Sequence, residues 1–130
     1  MASLSNQEKD WTVVFYYETQ TGVPIYTRIN SLITKIGHLV FLTFTINITS
    51  RGNGTNPRFT SDNNKLPYKP NATAIGKLIV EGFNVAIIKA EKDNNGYFSV
   101  KNLDGSDGTV QSFATGNVTG TIVYTTDDAD

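Results

Sequence analysis

The chain predicts an all-β fold, an antiparallel β-sandwich of the jelly-roll kind or a barrel, formed as one domain over residues 1–130. Three observations lead there. Val40, Leu42, Phe44, Ile46 and Ile48 alternate with Thr43, Thr45 and Asn47, a period of two that sets one face of a strand on a core. Short β-branched and aromatic runs recur between Gly, Asn and Asp clusters, whose backbone freedom turns require. No stretch keeps a 3.6-residue apolar period, so helices are not expected.

In chain order, Met1–Asp10 reads as a polar, flexible lead, and Trp11–Tyr17 (WTVVFYY) as the first strand. Thr21-Gly22-Val23-Pro24 punctuates before a second strand at Ile25–Ile29. Ile33–Ile36 runs into a turn at Gly37-His38 and then into the alternating strand from Val40 to Ile48. Thr49–Lys65 is rich in Gly, Asn and Ser, with Phe59 as its apolar anchor. It reads as a long loop, and long loops in compact domains are often functional. Leu66-Pro67-Tyr68-Lys69-Pro70 reads as an extended, rigid connector, because each proline restricts its own φ and the residue before it. Ala74–Val80 and Val85–Ala90 are strands flanking Glu81-Gly82. Asn94-Asn95-Gly96 predicts a tight hairpin turn into Tyr97–Val100. Asp104–Gly108 turns again, Val110–Phe113 and Thr119–Thr125 complete the strands, and residues 126–130 form an acidic tail.

Composition narrows the function classes. Thr (17) and Asn (13) fill the space left by a charged fraction of only 18%, which suits pleated surfaces and turns. Eleven basic and twelve acidic residues leave a net charge of −1 without a basic stripe, so nucleic-acid binding lacks its electrostatic term. Uncharged apolar stretches such as Leu39–Leu42 are far too short to span a membrane. The absence of cysteine removes disulfides, thiol nucleophiles and zinc–thiolate sites together, and is compatible with cytosolic and external settings alike. The first residues lack the basic and apolar regions of a signal peptide.

Catalysis is not expected. His38 is the one imidazole, and no Gly-x-Ser-x-Gly elbow occurs. The carboxylates Asp10, Glu18, Glu81, Glu91, Asp93, Asp104 and Asp107 lie in or beside turns, where they cap backbone amides; a small glycosidase is the enzymatic alternative. Glu91-x-Asp93-x-Asn95-Gly96 approaches a calcium loop but lacks the first Asp and the closing carboxylate, so neither metal nor cofactor is expected. Sequons at Asn47, Asn53, Asn71 and Asn117 barely exceed the roughly 2.5 expected by chance. The better lead is a ring beside amides, which suits the apolar faces and hydroxyls of a sugar. Tyr68 follows Asn63 and Asn64, and Tyr97 follows Asn95, so Tyr68, Tyr97, Asn63, Asn64, Asn95 and Asp107 form the expected saccharide site. Tyr16 and Tyr17 are adjacent in a strand, so one of them faces outward.

Three stretches also carry a family likeness: Ile33-Thr34-Lys35-Ile36-Gly37-His38-Leu39-Val40, Leu66-Pro67-Tyr68-Lys69-Pro70, and Thr121–Asp127 (TIVYTTD). Their order and spacing resemble the C-terminal receptor-binding head domains of bacteriophage tail-fibre and baseplate proteins. The middle stretch departs from that family's Leu-Pro-x-Gly-Tyr-Arg-Pro segment: it is shorter, lacks the Gly, and has Lys69 in place of Arg. The resemblance implies a homotrimeric head on a virion fibre or baseplate tip, gripping a host-surface glycan or cell-wall polysaccharide. It carries over no binding residue. The alternatives are a bacterial surface adhesin, a monomeric carbohydrate-binding module, and a structural capsid or appendage protein without a ligand pocket.

Overall fold

The computed structural model describes residues 6–9, 11–80, 85–109, 113 and 115–128. They form β1 (Asn6–Lys9), β2 (Val14–Gly22), β3 (Ile25–Ile36), β4 (Leu39–Ser50), β5 (Asn53–Thr60), β6 (Ala74–Val80), β7 (Val85–Ala90), β8 (Phe98–Lys101) and β9 (Gly116–Thr125). Among the described residues a single 3₁₀ turn, Asp62–Asn64, interrupts the strands. Every strand pair is antiparallel, in one curled sheet ordered β1-β3-β4-β9-β6-β7-β8-β5-β2.

β1 and β2 follow each other in sequence but occupy opposite ends of that order. Backbone groups of Trp11, Val13 and Phe15 meet β3 through its side chains rather than through a ladder. Arg28 Nε donates to the Val13 carbonyl at 2.6 Å, Ser31 Oγ donates to the Trp11 carbonyl, and the Phe15 amide donates to the Tyr26 hydroxyl at 2.9 Å. Side chains of β3 thus satisfy backbone groups that a neighbouring strand would otherwise meet.

Inside the curl, Val40, Leu42, Phe44, Ile46 and Ile48 are all buried, so the alternation read from the sequence is the one the sheet uses. Phe44 reaches across the interior to Phe59 (centroids 4.8 Å apart), and Phe15 stacks on Phe59 at 5.2 Å. Phe113 joins them 4.7 Å from Phe15. Rings drawn from β2, β4 and β5 therefore make one core, which curling the sheet shields from water.

The structure corrects several sequence expectations. Ile25–Ile29 and Ile33–Ile36 are one strand, with a register shift between Arg28 and Asn30 where two strands were expected. The expected loop Thr49–Lys65 contains β5. Its ladder to β8 involves only Arg58 and Phe59, so Pro57, which has no amide to donate, falls outside that ladder. The tight turn expected at Asn94-Asn95-Gly96 is instead a wider connection, in which Asp93 takes the left-handed conformation (φ 63°) and the Asn94 amide bonds the Glu91 carbonyl. The turn at Glu81-Gly82 and most of Val110–Phe113 lie outside the described residues.

Candidate ligand-binding cleft

The six residues expected to meet a ligand do not come together. Tyr68, expected at a ligand surface, is buried: at 4% exposure its ring belongs to the core. Lys35 Nζ lies 5.8 Å from its centroid, and the Tyr124 hydroxyl donates to its carbonyl at 2.9 Å. Nearby, the Thr126 amide bonds the His38 carbonyl and the Asn71 amide bonds the Thr125 carbonyl. Segments 33–40, 66–70 and 121–127 thus meet at one end of the sheet, where Leu66–Pro70 closes the core. The proline-fixed backbone turns Tyr68 inward.

Asn63 and Asn64 sit exposed on the 3₁₀ turn, both with positive φ, and Asn63 lines a shallow hollow with Trp11, Asp62 and Lys65. Asn95 is half-buried; its carbonyl accepts from the Leu66 amide, and its Oδ1 has no hydrogen-bond partner among the described residues. Tyr97 and Asp107 are the two that converge. They line a cleft of about 260 Å³ on the outer face, with Glu18, Asn56, Arg58 and Lys101.

Strand register builds this cleft. Tyr16 on β2 pairs with Arg58 on β5, and Arg58 pairs with Ser99 on β8, so their side chains project from the same outer surface. Tyr17, one residue on, points inward and is buried; burial pushes its phenol up to about 12. The Arg58 guanidinium lies 3.8 Å from the Tyr97 centroid, a close cation–π stack, and Nη2 donates to Glu18 Oε2 at 2.7 Å. Asn56 Nδ2 donates to the other Glu18 oxygen at 2.9 Å. At the opposite wall, Lys101 Nζ donates to Asp107 Oδ1.

These contacts set the electrostatics. The Asn56 hydrogen bond, then the charge and hydrogen bond of Arg58, hold Glu18 below its ordinary 4.5. The Lys101 hydrogen bond and charge hold Asp107 below its ordinary 3.8. Burial pushes the Tyr16 phenol above 10, against the opposing pull of Arg58. Both cations are matched within the cleft, which has three carboxylates (Glu18, Glu91, Asp107) against Arg58 and Lys101. Such a surface offers donors and acceptors side by side and no unbalanced positive charge for a phosphate or carboxylate ligand.

Asn56, Arg58 and Lys101 escaped the sequence reading, and Glu18 entered it only among the carboxylates of the glycosidase alternative. The available signal was the outward parity of Tyr16 and Glu18 once Phe15 and Tyr17 face the core. Arg58 and Asn56 carried none while their segment read as loop. No helix among the described residues is long and apolar enough to cross a membrane. No family model matches the chain, and no curated protein or solved structure matches it.

Proposed function

We propose that this chain is a receptor-binding adhesive domain, of the kind carried at a phage or phage-derived fibre tip, and that its Tyr97 cleft holds a neutral saccharide from a host surface. The observation that carries the reading is the cleft itself. A ring steadied by an arginine stands among paired groups that can both donate to and accept from sugar hydroxyls. The volume is below the ~300–1,000 Å³ of drug-sized sites, which suits one sugar unit and repeated weak contacts rather than a single tight one. The contacts of Glu18 with Asn56 and Arg58, and of Asp107 with Lys101, lower both carboxyls rather than raising either as a glycosidase's acid requires, which supports binding as the role. In this reading the curled sheet corresponds to a sandwich-like fibre head, with Phe44 and Phe59 meeting between its two leaves, and three copies form the tip.

A glycan array, followed by titration with the best hit, tests the proposal. Tyr97→Ala should weaken binding by about 1 kcal/mol or more, while circular dichroism stays native. Asp107→Ala should also weaken it. Equal binding by wild type and Tyr97→Ala would move the site elsewhere; no glycan bound at all would make a protein receptor or a structural role the better account.

A further inference from the structure

The outer surface of the sheet is divided into two unlike halves. One row runs Tyr16–Arg58–Ser99–Lys89 across β2, β5, β8 and β7, and register continues it through Ile75 on β6. Lys77 pairs with Thr121, which sets Ile75 level with Val123; Val123 pairs with Phe41, and Phe41 with Thr34. The row therefore changes from charged to apolar at β6.

Around that apolar half, Leu32, Leu39, Phe41, Ile75, Ile79 and Val123 are each 42–64% exposed. The outward positions between them are Thr43, Thr45, Thr119 and Thr121, with Asn47 and Asn117 bonded to each other at 2.9 Å. Lys77 is the single charge on the outward positions of β6, β9, β4 and the second half of β3 among the described residues. The opposite half holds Glu18, Arg58, Lys89, Lys101 and Asp107. Depletion of charge with exposed aromatic and aliphatic side chains is what the centre of a protein interface looks like.

We infer that this face is where copies of the chain meet, with the Phe41–Val123 row nearest the symmetry axis. Its size fits. Four strands at ~4.8 Å spacing and nine residues at ~3.3 Å give a footprint on the order of 500 Å², before side-chain relief is added; a stable contact takes about 800 Å² of accessible surface per partner. Its charge also fits a like partner. With one lysine and no acid among the described outward positions of β6, β9, β4 and the second half of β3, these strands have nothing to select a charged protein, whereas threonine, asparagine and aliphatic side chains complement themselves. Lys77 stands on β6, the margin strand, so a two-fold or three-fold axis at β4–β9 keeps the copies of Lys77 apart. The Tyr97 cleft stays open on the opposite half. The inference does not depend on the saccharide reading.

Sedimentation velocity from low to high micromolar concentration tests it. Wild type should show a mass that is a multiple of 14.2 kDa. Phe41→Glu should return the monomer mass, or weaken association at least tenfold, with a native circular dichroism spectrum. Thr121→Arg, at an exposed position on the same face, should do the same and guards against misfolding of the first variant. Tyr97→Ala, on the other half, should assemble like wild type. A wild-type mass of 14.2 kDa at every concentration overturns the inference, and so does undiminished assembly of both face variants. Sugar titration of monomeric Phe41→Glu keeps the two readings apart, since single-site affinity there reports on the cleft alone.

Discussion

Arg58 holds the cleft together by making different contacts with each part of its side chain. Its plane lies on Tyr97, one nitrogen donates to Glu18, and its charge and hydrogen bond act on Tyr16. The paired carboxylates set the pH response. A carboxyl whose pKa is lowered by folding stabilises the folded state above its unfolded value, and that contribution is lost as pH falls through the lower, folded value. Glu18 and Asp107 are both of this kind, so calorimetric titration with the sugar should give an affinity that is flat from about pH 8 to about pH 5 and falls below the ordinary 4.5 and 3.8 of the two groups. Their side chains are exposed, so the effect should appear in binding more than in stability. Tyr68 behaves oppositely to Tyr97. Tyr68→Ala should cost about 3–5 kcal/mol in denaturant unfolding because it empties a core position, while Tyr68→Phe, which keeps the ring beneath Lys35, should cost far less.

At the scale of elements, β4 and β9 show how closely two strands determine each other. Phe44 pairs with Gly120, and its ring lies over the glycine: a Cβ there would come within 2.4 Å of the ring edge. Gly120→Ala should therefore destabilise by about 1–3 kcal/mol, read as a lower urea midpoint, with Phe44→Leu in the same chain recovering part of the loss. A variant as stable as wild type would mean that β9 can shift to make room. On the same two strands, outward polar side chains also pair across: Thr45 bonds Thr119 at 3.0 Å, and Asn47 bonds Asn117. β5 is the strand least supported by its own composition. It is held by neighbours on both sides, β2 along most of its length and β8 at Arg58 and Phe59.

For the whole molecule, curling a single sheet does two jobs. It wraps one core whose rings come from opposite ends of the strand order, and it turns the outer surface into two halves that face different ways. The charged half carries the cleft proposed to meet a sugar, and the charge-poor half carries the face inferred to meet other copies. Separating them would suit the proposed adhesive role, because assembly would then multiply weak sites without covering them. The loss of assembly in Phe41→Glu should accordingly reduce attachment to a glycan-coated surface far more than it reduces single-site affinity.

Local periodicity determined a good deal of this protein. The alternation in β4, the runs that become β6, β7 and β9, and the turn at Gly37 (φ 59°) all follow from residues within a few positions of one another. Tertiary structure alone decided the rest. Nothing near Asn53–Thr60 marks it as a strand; it becomes one because β2 and β8, some forty residues away on either side, supply its hydrogen bonds. Tyr68 and Tyr97 both stand beside amides in sequence, and the closing segment at one end of the sheet buries the first while the outer face keeps the second. The cleft joins residues from Glu18 to Asp107, and which side chains share a patch of surface depends on strand order, a long-range choice that the spacing of residues along the chain does not encode.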